Sequence, residues 1–167
     1  MNLVIDTAAP DDIAAIVTVH RNAANRLTSE FGVGPWSSRV SDREVARALR
    51  ESRVLVARHD GRVIGTLRLQ ARKPWAIDRA FFSPANAPLY LVGMAVAPAQ
   101  QRQGVGRRLL DEAVEVARAW PRDALRLDAW NAPAGAGAFY ARCGWDDRGC
   151  TTYRGSPLRY FERRLVT

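Results

Sequence analysis

Lysine is nearly missing from this chain and cysteine is scarce: Lys73 is the single lysine among 25 basic residues, and Cys143 and Cys150 are the only two cysteines. Two thiols pair at most once, which excludes a disulfide scaffold, and with no CxxC and no Cys/His cluster no metal centre is expected. Free thiols are the expected state. No apolar run approaches the ~18 residues that span a bilayer. The opening MNLVIDTAAPDD lacks a basic stretch followed by an apolar one, so no secretory leader is expected and the chain reads as cytoplasmic. Repeats, low-complexity tracts and interior linkers are absent as well.

What is present fits one domain spanning 1–167, since 167 residues with 47% hydrophobic and 25% charged composition bury a sizeable core. The net charge of +8 comes almost wholly from arginine and favours anionic partners. The arginines run from Arg21 to Arg164 without a dense tract or a DNA-binding motif, which argues against nucleic acid and for a phosphate-bearing small molecule.

Along the chain, Asn2 to Ile5 reads as a strand, and a helix follows with Pro10 at its start and Asp11 and Asp12 in its first turn. SDREVARALRES carries a capping box, Ser41 to Glu44, with Val45, Ala48 and Leu49 on one face. RVLVARHDGRVIGTLRLQA reads as a hairpin about Asp60-Gly61. Residues 72–88, rich in proline and aromatics, read as a long loop. LYLVGMAV is a nearly continuous apolar strand suited to burial on both faces. Then comes a glycine-rich loop and a helix with Val105, Leu109, Ala113, Val116 and Trp120 at helical spacing, closed by Pro121. LRLDAW is a further strand, PAGAGAFYARCGW a short helix stopped by Gly144, and two strands about Gly155-Ser156-Pro157 end the chain. The order βααβββαβαββ predicts one α/β domain with a mixed sheet.

The stretch AVAPAQQRQGVGRRLLDEA joins strand to helix through Gly104 and Gly106. A glycine loop opening a helix aims unpaired N–H groups and the positive end of the helix dipole at one point, a setting for phosphate. No G-x-x-x-x-G-K-[ST] is present, and Gly104 to Leu109 lacks the third glycine of a dinucleotide fingerprint. What remains, Gln101-x-x-Gly104-x-Gly106, resembles the acetyl-coenzyme A loop of the GCN5-related N-acetyltransferases (GNAT). The context agrees: Met94-Ala95-Val96 and Pro98 before the loop, Leu109 and Leu110 after it, and Phe139, Tyr140, Gly144 and Trp145 matching the family's F-Y-x-x-x-G-F/W helix end.

The resemblance implies a GNAT-like, mostly antiparallel sheet of about seven strands with about four helices. It also implies acetyl-CoA as cosubstrate. The main chain of Met94, Ala95 and Val96 would pair with the pantetheine arm as an added strand would. The Val96 N–H would polarise the thioester carbonyl. The diphosphate would sit on the amides of Gln101, Arg102, Gln103, Gly104, Val105 and Gly106, with Arg102 and Arg107 or Arg108 at the rim. Tyr140 would protonate the departing thiolate. Asn131 resembles the family's helix-start asparagine, though its interval to Tyr140 is longer than usual, and Ala134, Gly135 and Ala136 are expected to share its contacts.

The strand before the loop has no acid to serve as general base. Asp128, Asp78 and Tyr90 are the candidates for a water-relayed proton, ahead of His20 and His59. The resemblance thus implies direct transfer of acetyl from acetyl-CoA to a primary amine in a ternary complex, by a monomer or homodimer. A sensor of the same fold that binds acyl-CoA without turnover is the alternative. A covalent route through Cys143 is disfavoured, a cysteine at a helix end being more often a packing residue. The first two helices would line the acceptor pocket and the 72–88 loop would cover it, with Trp36, Trp75, Phe81 and Phe82 supplying apolar surface.

Overall fold

A computed structural model describes Met1–Leu165. Seven strands form a mixed, mostly antiparallel sheet in the order β1-β2-β3-β4-β5-β7-β6: β1 (Leu3–Thr7), β2 (Arg53–His59), β3 (Arg62–Gln70), β4 (Pro88–Val96), β5 (Ala124–Trp130), β6 (Asp146–Tyr153) and β7 (Ser156–Arg164). Four helices, α1 (Ile13–Phe31), α2 (Asp42–Glu51), α3 (Val105–Ala119) and α4 (Gly137–Arg142), complete the predicted element order. The described residues fall into two compact units, Met1–Gln70 with Val92–Ala113, and Ala71–Leu91 with Val114 onward.

In the first unit, α2 starts as its capping box demands. Ser41 Oγ accepts the Glu44 N–H (3.2 Å) and Glu44 Oε2 accepts the Ser41 N–H (2.7 Å), a cap worth ~1 kcal/mol. The turn between β2 and β3 takes Asp60 (φ 50°) and Gly61 (φ 78°) left-handed, the hairpin geometry that Asp-Gly favours. Residues opposite one another on the hairpin share a face: Val54 faces Arg68 and Val56 faces Thr66. That face carries the cluster of Val54 and Val56 with Ile16, Val45 and Ala48, so α1 and α2 cover it. The alternate face meets α3, because a Cβ on Gly65 would come within 3.1 Å of Leu109 and 3.3 Å of Val105.

In the second unit, β7 is the spine. It pairs antiparallel with β5 on one side and β6 on the other, and Leu158, Tyr160 and Phe161 are each 1% exposed. The β6–β7 turn is made by left-handed Arg154 (φ 49°) and Gly155 (φ 80°), so Ser156 and Pro157, expected in the turn, instead begin β7. Gly144 (φ 81°) stops α4 as expected.

A further expectation needs correction. The apolar run of β4 is not buried throughout. Leu89, Tyr90 and Leu91 are, but from Val92 the strand is half-buried or open, with Gly93 exposed. The cause is Gly93 itself, whose φ of 62° breaks the extended chain. The parallel ladder with β5 covers only Pro88–Tyr90 against Ala124–Arg126 among the described residues.

The 72–88 segment is largely irregular, as expected, and is hydrogen-bonded at many points within its own unit. Tyr160 hydroxyl donates to the Ala76 carbonyl and accepts the Asp78 N–H (3.2 Å). Glu162 Oε1 accepts the Ser83 N–H (3.3 Å) and hydroxyl (2.5 Å). Arg126 donates to Glu162 (2.9 Å) and to the Ser83 carbonyl (2.6 Å), while Arg148 donates to the Phe81 carbonyl (3.0 Å). Asp123 accepts the N–H groups of Asn86 (2.6 Å) and Ala87 (3.0 Å). Phe82, 8% exposed, is spent against Tyr160 and Arg126, and Phe81 sets its edge on Tyr160 at 5.1 Å. Trp75 stands 81% exposed.

Candidate functional site

The predicted site residues fall into two groups, Met94 to Arg107 in the first unit and Asn131, Ala134, Gly135 and Tyr140 in the second. In the first group, β4 ends at Val96, a 3₁₀ turn covers Pro98–Gln100, and α3 starts at Val105. The Ala97 N–H donates to the Ile64 carbonyl (2.8 Å), fixing where the loop leaves β3. Arg102 (φ 62°) and Gly104 (φ 82°) are both left-handed, and the Gln101 N–H, expected among the diphosphate donors, instead donates to the Pro98 carbonyl (3.3 Å).

Two glutamines brace this coil. Gln101 Nε2 donates to the Val96 carbonyl (3.0 Å) and Gln103 Nε2 to the Ala99 carbonyl (3.0 Å). The Val96 carbonyl thus already accepts one bond from the chain itself, while among the described residues no side chain accepts from its N–H. The Arg108 N–H, on the Gly104 carbonyl (3.0 Å), begins the helical ladder. The amides just before it lie in the first turn, where no intrahelical acceptor exists. Nothing stands within 4 Å of the place a Gly104 Cβ would occupy. The helix dipole adds positive potential at the same end. Arg102 and Arg107 are exposed; Arg108, also exposed, reaches toward the Leu3 carbonyl at 3.5 Å. Donors, open space and mobile cations at a helix start fit a diphosphate, so these residues suit the phosphate end of a coenzyme A.

In the second group Tyr140 is 6% exposed. Its ring sits among Phe139, Phe161 and Trp145, with centroids 5.4, 5.7 and 6.0 Å away. Burial first, then the charges of Asp128 and Cys143, push its phenol pKa well up, so the hydroxyl keeps its proton far into alkaline solution. Asp128 lies on β5 directly across from Tyr160, and burial raises its carboxyl pKa. Its charge is felt by both phenols. Of the other base candidates, Asp78 accepts the Ala80 N–H (2.9 Å), and Tyr90 is 2% exposed within the core.

Asn131 is exposed and tied down: its N–H donates to the Pro157 carbonyl (2.9 Å), and its Oδ1 accepts from Arg159 (3.3 Å). Gly135 closes a tight turn in which a Cβ would fall 1.7 Å from the Trp130 carbonyl oxygen, and Ala134 is buried. No disulfide joins Cys143 and Cys150. Among the described residues no cluster of metal-ligating side chains occurs, and no helix is long and apolar enough to cross a membrane.

One residue that sequence reasoning ranked low is placed at β4. His20 points from α1 at Gly93, its Cε1 3.8 Å from where a Cβ would stand. The signal was present in α1: Ile13, Ile16 and His20 recur at helical spacing, and Ile16 is 2% exposed, so His20 continues the inward stripe.

The sequence pattern of the Acetyltransferase (GNAT) family matches residues 15–145. Solved structures agree in fold. YncA from Salmonella typhimurium, solved with its cofactor acetyl-CoA, is 20% identical, with 99% of this chain and 95% of that chain aligned at a TM-score of 0.72. The PaiA N-acetyltransferase from Thermoplasma acidophilum, in complex with coenzyme A, is 16% identical over 98% and 99% at 0.75. A ribosomal-protein-alanine N-acetyltransferase from Brucella melitensis is 22% identical over 97% and 99% at 0.73. The chain belongs to the GNAT family, and is an acetyl-CoA-dependent N-acetyltransferase.

Proposed function

We propose that this enzyme, acting as a single domain in the cytoplasm, moves the acetyl group directly onto a primary amine, with Tyr140 as the proton donor to the leaving sulfur. The observation that carries the reading is the buried phenol of Tyr140, kept protonated by its surroundings. A thiolate leaves more readily when a proton is delivered to it, and a donor that stays protonated across the working pH range is always loaded.

Bound acetyl-CoA supplies an activated thioester. The Val96 N–H is the donor for the carbonyl oxygen, where negative charge grows during attack. Gln101 supports that role by occupying the neighbouring carbonyl, so that the end of β4 presents a donor without a competing acceptor. The amides from Arg102 to Gly106 take the diphosphate, the Gln101 N–H being held by the Pro98 carbonyl (3.3 Å), and Arg102 and Arg107 add charge at the rim. Met94 and Ala95 offer main chain to the pantetheine arm, and Asn131, Ala134 and Gly135 are the contacts proposed from the second unit. Asp128 is the proposed acceptor of the amine's proton through water, its raised pKa bringing it nearer the working range.

The test is Tyr140→Phe. The ring packing survives, so fold and CoA affinity are expected to hold, while turnover falls by ~10²-fold or more, the usual scale for losing a general acid. A wild-type rate across pH 6 to 10 would remove Tyr140 from the chemistry.

A further inference from the structure

Two groups that acetyl transfer has not used, His20 on α1 and Arg68 on β3, stand on the sheet face that α1 and α2 cover. Arg68 lies on β3 opposite Val54, on the face covered by α1 and α2. It is half-buried, and its Nε is enclosed without a hydrogen-bond acceptor. A buried donor left open is costly, and native proteins rarely keep one without a use.

The acids near Arg68 do not fill the gap. Glu44 on α2 accepts the Ser41 N–H of the capping box, and Glu51 accepts from Arg47 Nε with both oxygens at 3.0 Å. Arg47 adds a like charge from the same helix. His20 faces Gly93, where the absence of a side chain lets the imidazole lie against the strand. Burial first, and the Arg68 charge second, pull its pKa below the ordinary value. At neutral pH the ring is thus uncharged, offering one donor and one acceptor.

We propose that Arg68 and His20 seat a carboxylate of the acceptor, so that the amine acetylated by this enzyme belongs to a small amino acid. This rests on the acetyl-transfer reading above. A guanidinium binds a carboxylate through two parallel N–H donors. A phosphate is disfavoured relative to a carboxylate, because Glu44 and Glu51 stand close enough to Arg68 to be felt and repel a dianion about twice as strongly as a monoanion. Position agrees as well. Val96, the proposed oxyanion donor, lies three residues along β4 from Gly93, ~10 Å at ~3.3 Å per residue, a span that an amino acid and the arm of Arg68 cover together.

The experiment has two arms. In the first, L-amino acids, β-alanine, their primary amides, aminomethylphosphonate, spermidine and an alanine-initiated hexapeptide are offered with acetyl-CoA, and thiol release is read. Free amino acids are expected to be the acceptors. The amide of the best one should lose about 10- to 100-fold in kcat/KM, mainly through KM, the scale of one charge-assisted pair. Arg68→Gln should abolish the acid-over-amide preference while CoA binding holds, and Arg68→Lys should restore part of it. Equal use of acid and amide, or a preference for the phosphonate, the polyamine or the peptide, overturns the proposal.

The second arm needs no turnover. The chain has two histidines, so a His59→Gln protein shows one imidazole in NMR. Pooled free amino acids at millimolar concentration should move the His20 resonances, their amides should not, and Arg68→Gln should abolish the movement. Loss of the CoA-induced rise in Tm with a retained His20 response would sink the acetyl-transfer reading alone. A rise in Tm with no His20 response would sink the carboxylate seat alone.

Discussion

Two irregular segments of this chain, 97–104 and 71–87, answer the same problem in opposite ways. Loop backbone carries donors and acceptors that something must satisfy. In 71–87 the chain satisfies them itself, with Tyr160, Glu162, Arg126, Arg148 and Asp123 reaching Ala76, Asp78, Phe81, Ser83, Asn86 and Ala87. In 97–104 the side-chain effort goes to acceptors only: Gln101 and Gln103 cover the carbonyls of Val96 and Ala99. The N–H groups of Ala97, Gln100 and Gln101 are bonded to backbone carbonyls, and the first-turn donors beyond them have no intrahelical acceptor. Donors left open at a helix start suit an anion, which is the reading we propose for them, whereas a loop with donors and acceptors both covered is a fixed part of the scaffold.

The sharpest way to break the comparison is at Glu162. It and Arg126 are 1% and 5% exposed and share an ion pair at 2.9 Å. Glu162→Ala leaves a buried guanidinium without its partner, and is expected to cost ~3–5 kcal/mol in denaturant unfolding. CoA affinity of the folded fraction should stay within twofold. A loss of affinity matching the loss of stability would show that 71–87 is not merely scaffold.

The opposite break is Gly104→Val. A β-branched residue at φ 82° is strained and fills the open space before the helix. CoA affinity, read by calorimetry, is expected to fall by ~10-fold or more while unfolding changes by less than for Glu162→Ala, since Gly104 is exposed. Val105→Ile is the control. Wild-type affinity in both variants would place the cradle elsewhere.

Thermal unfolding sharpens the same point on the native protein. Coenzyme A at ~1 mM, about 100 times a ~10 μM dissociation constant, should stabilise the fold by ~2.7 kcal/mol. Removing the ligand by dialysis should reverse the shift.

The smallest effect is one of pH. Although burial works against it, the N–H groups of Asn86 and Ala87 and the Arg164 charge hold the Asp123 carboxyl below the ordinary aspartate value. A depressed carboxyl contributes stability that is present above the unfolded value and lost as pH falls through the folded one. Between pH 5 and 2, wild type should therefore lose more stability than Asp123→Asn does, and parallel curves would mean that the anchor contributes nothing.

Much of this was legible in the chain because its signals are local. Ser41 and Glu44 announce α2 three residues apart, Asp60-Gly61 announces its hairpin, and the element order of all eleven strands and helices follows from such marks. The loop proposed as the diphosphate cradle could be picked out for the same reason, the glycine, the helix start and the strand before it being contiguous. What stayed hidden depended on distance in sequence. The anchors of 71–87 lie up to 84 residues away on β7, and a proline-rich stretch looks loose until they are known. The apolar run of β4 suggested burial on both faces because hydrophobicity does not report that Gly93 turns left-handed. His20 could be assigned to a stripe on α1, but only the position of Gly93 gives that stripe something to face.

The broken second half of β4 also bears on solubility. β4 keeps β3 on one side, but a strand edge that lacks a ladder partner is a template onto which another chain can add itself, the usual opening move of aggregation. Here the register with β5 ends at Tyr90, and three residues later the left-handed Gly93 interrupts the regular spacing that an incoming strand would need. Gln101 then occupies the carbonyl at the far end. The irregularity at the edge we propose for the pantetheine arm therefore also makes it a poor match for a second polypeptide, and replacing Gly93 with a straight-backed residue would trade that selectivity for stickiness.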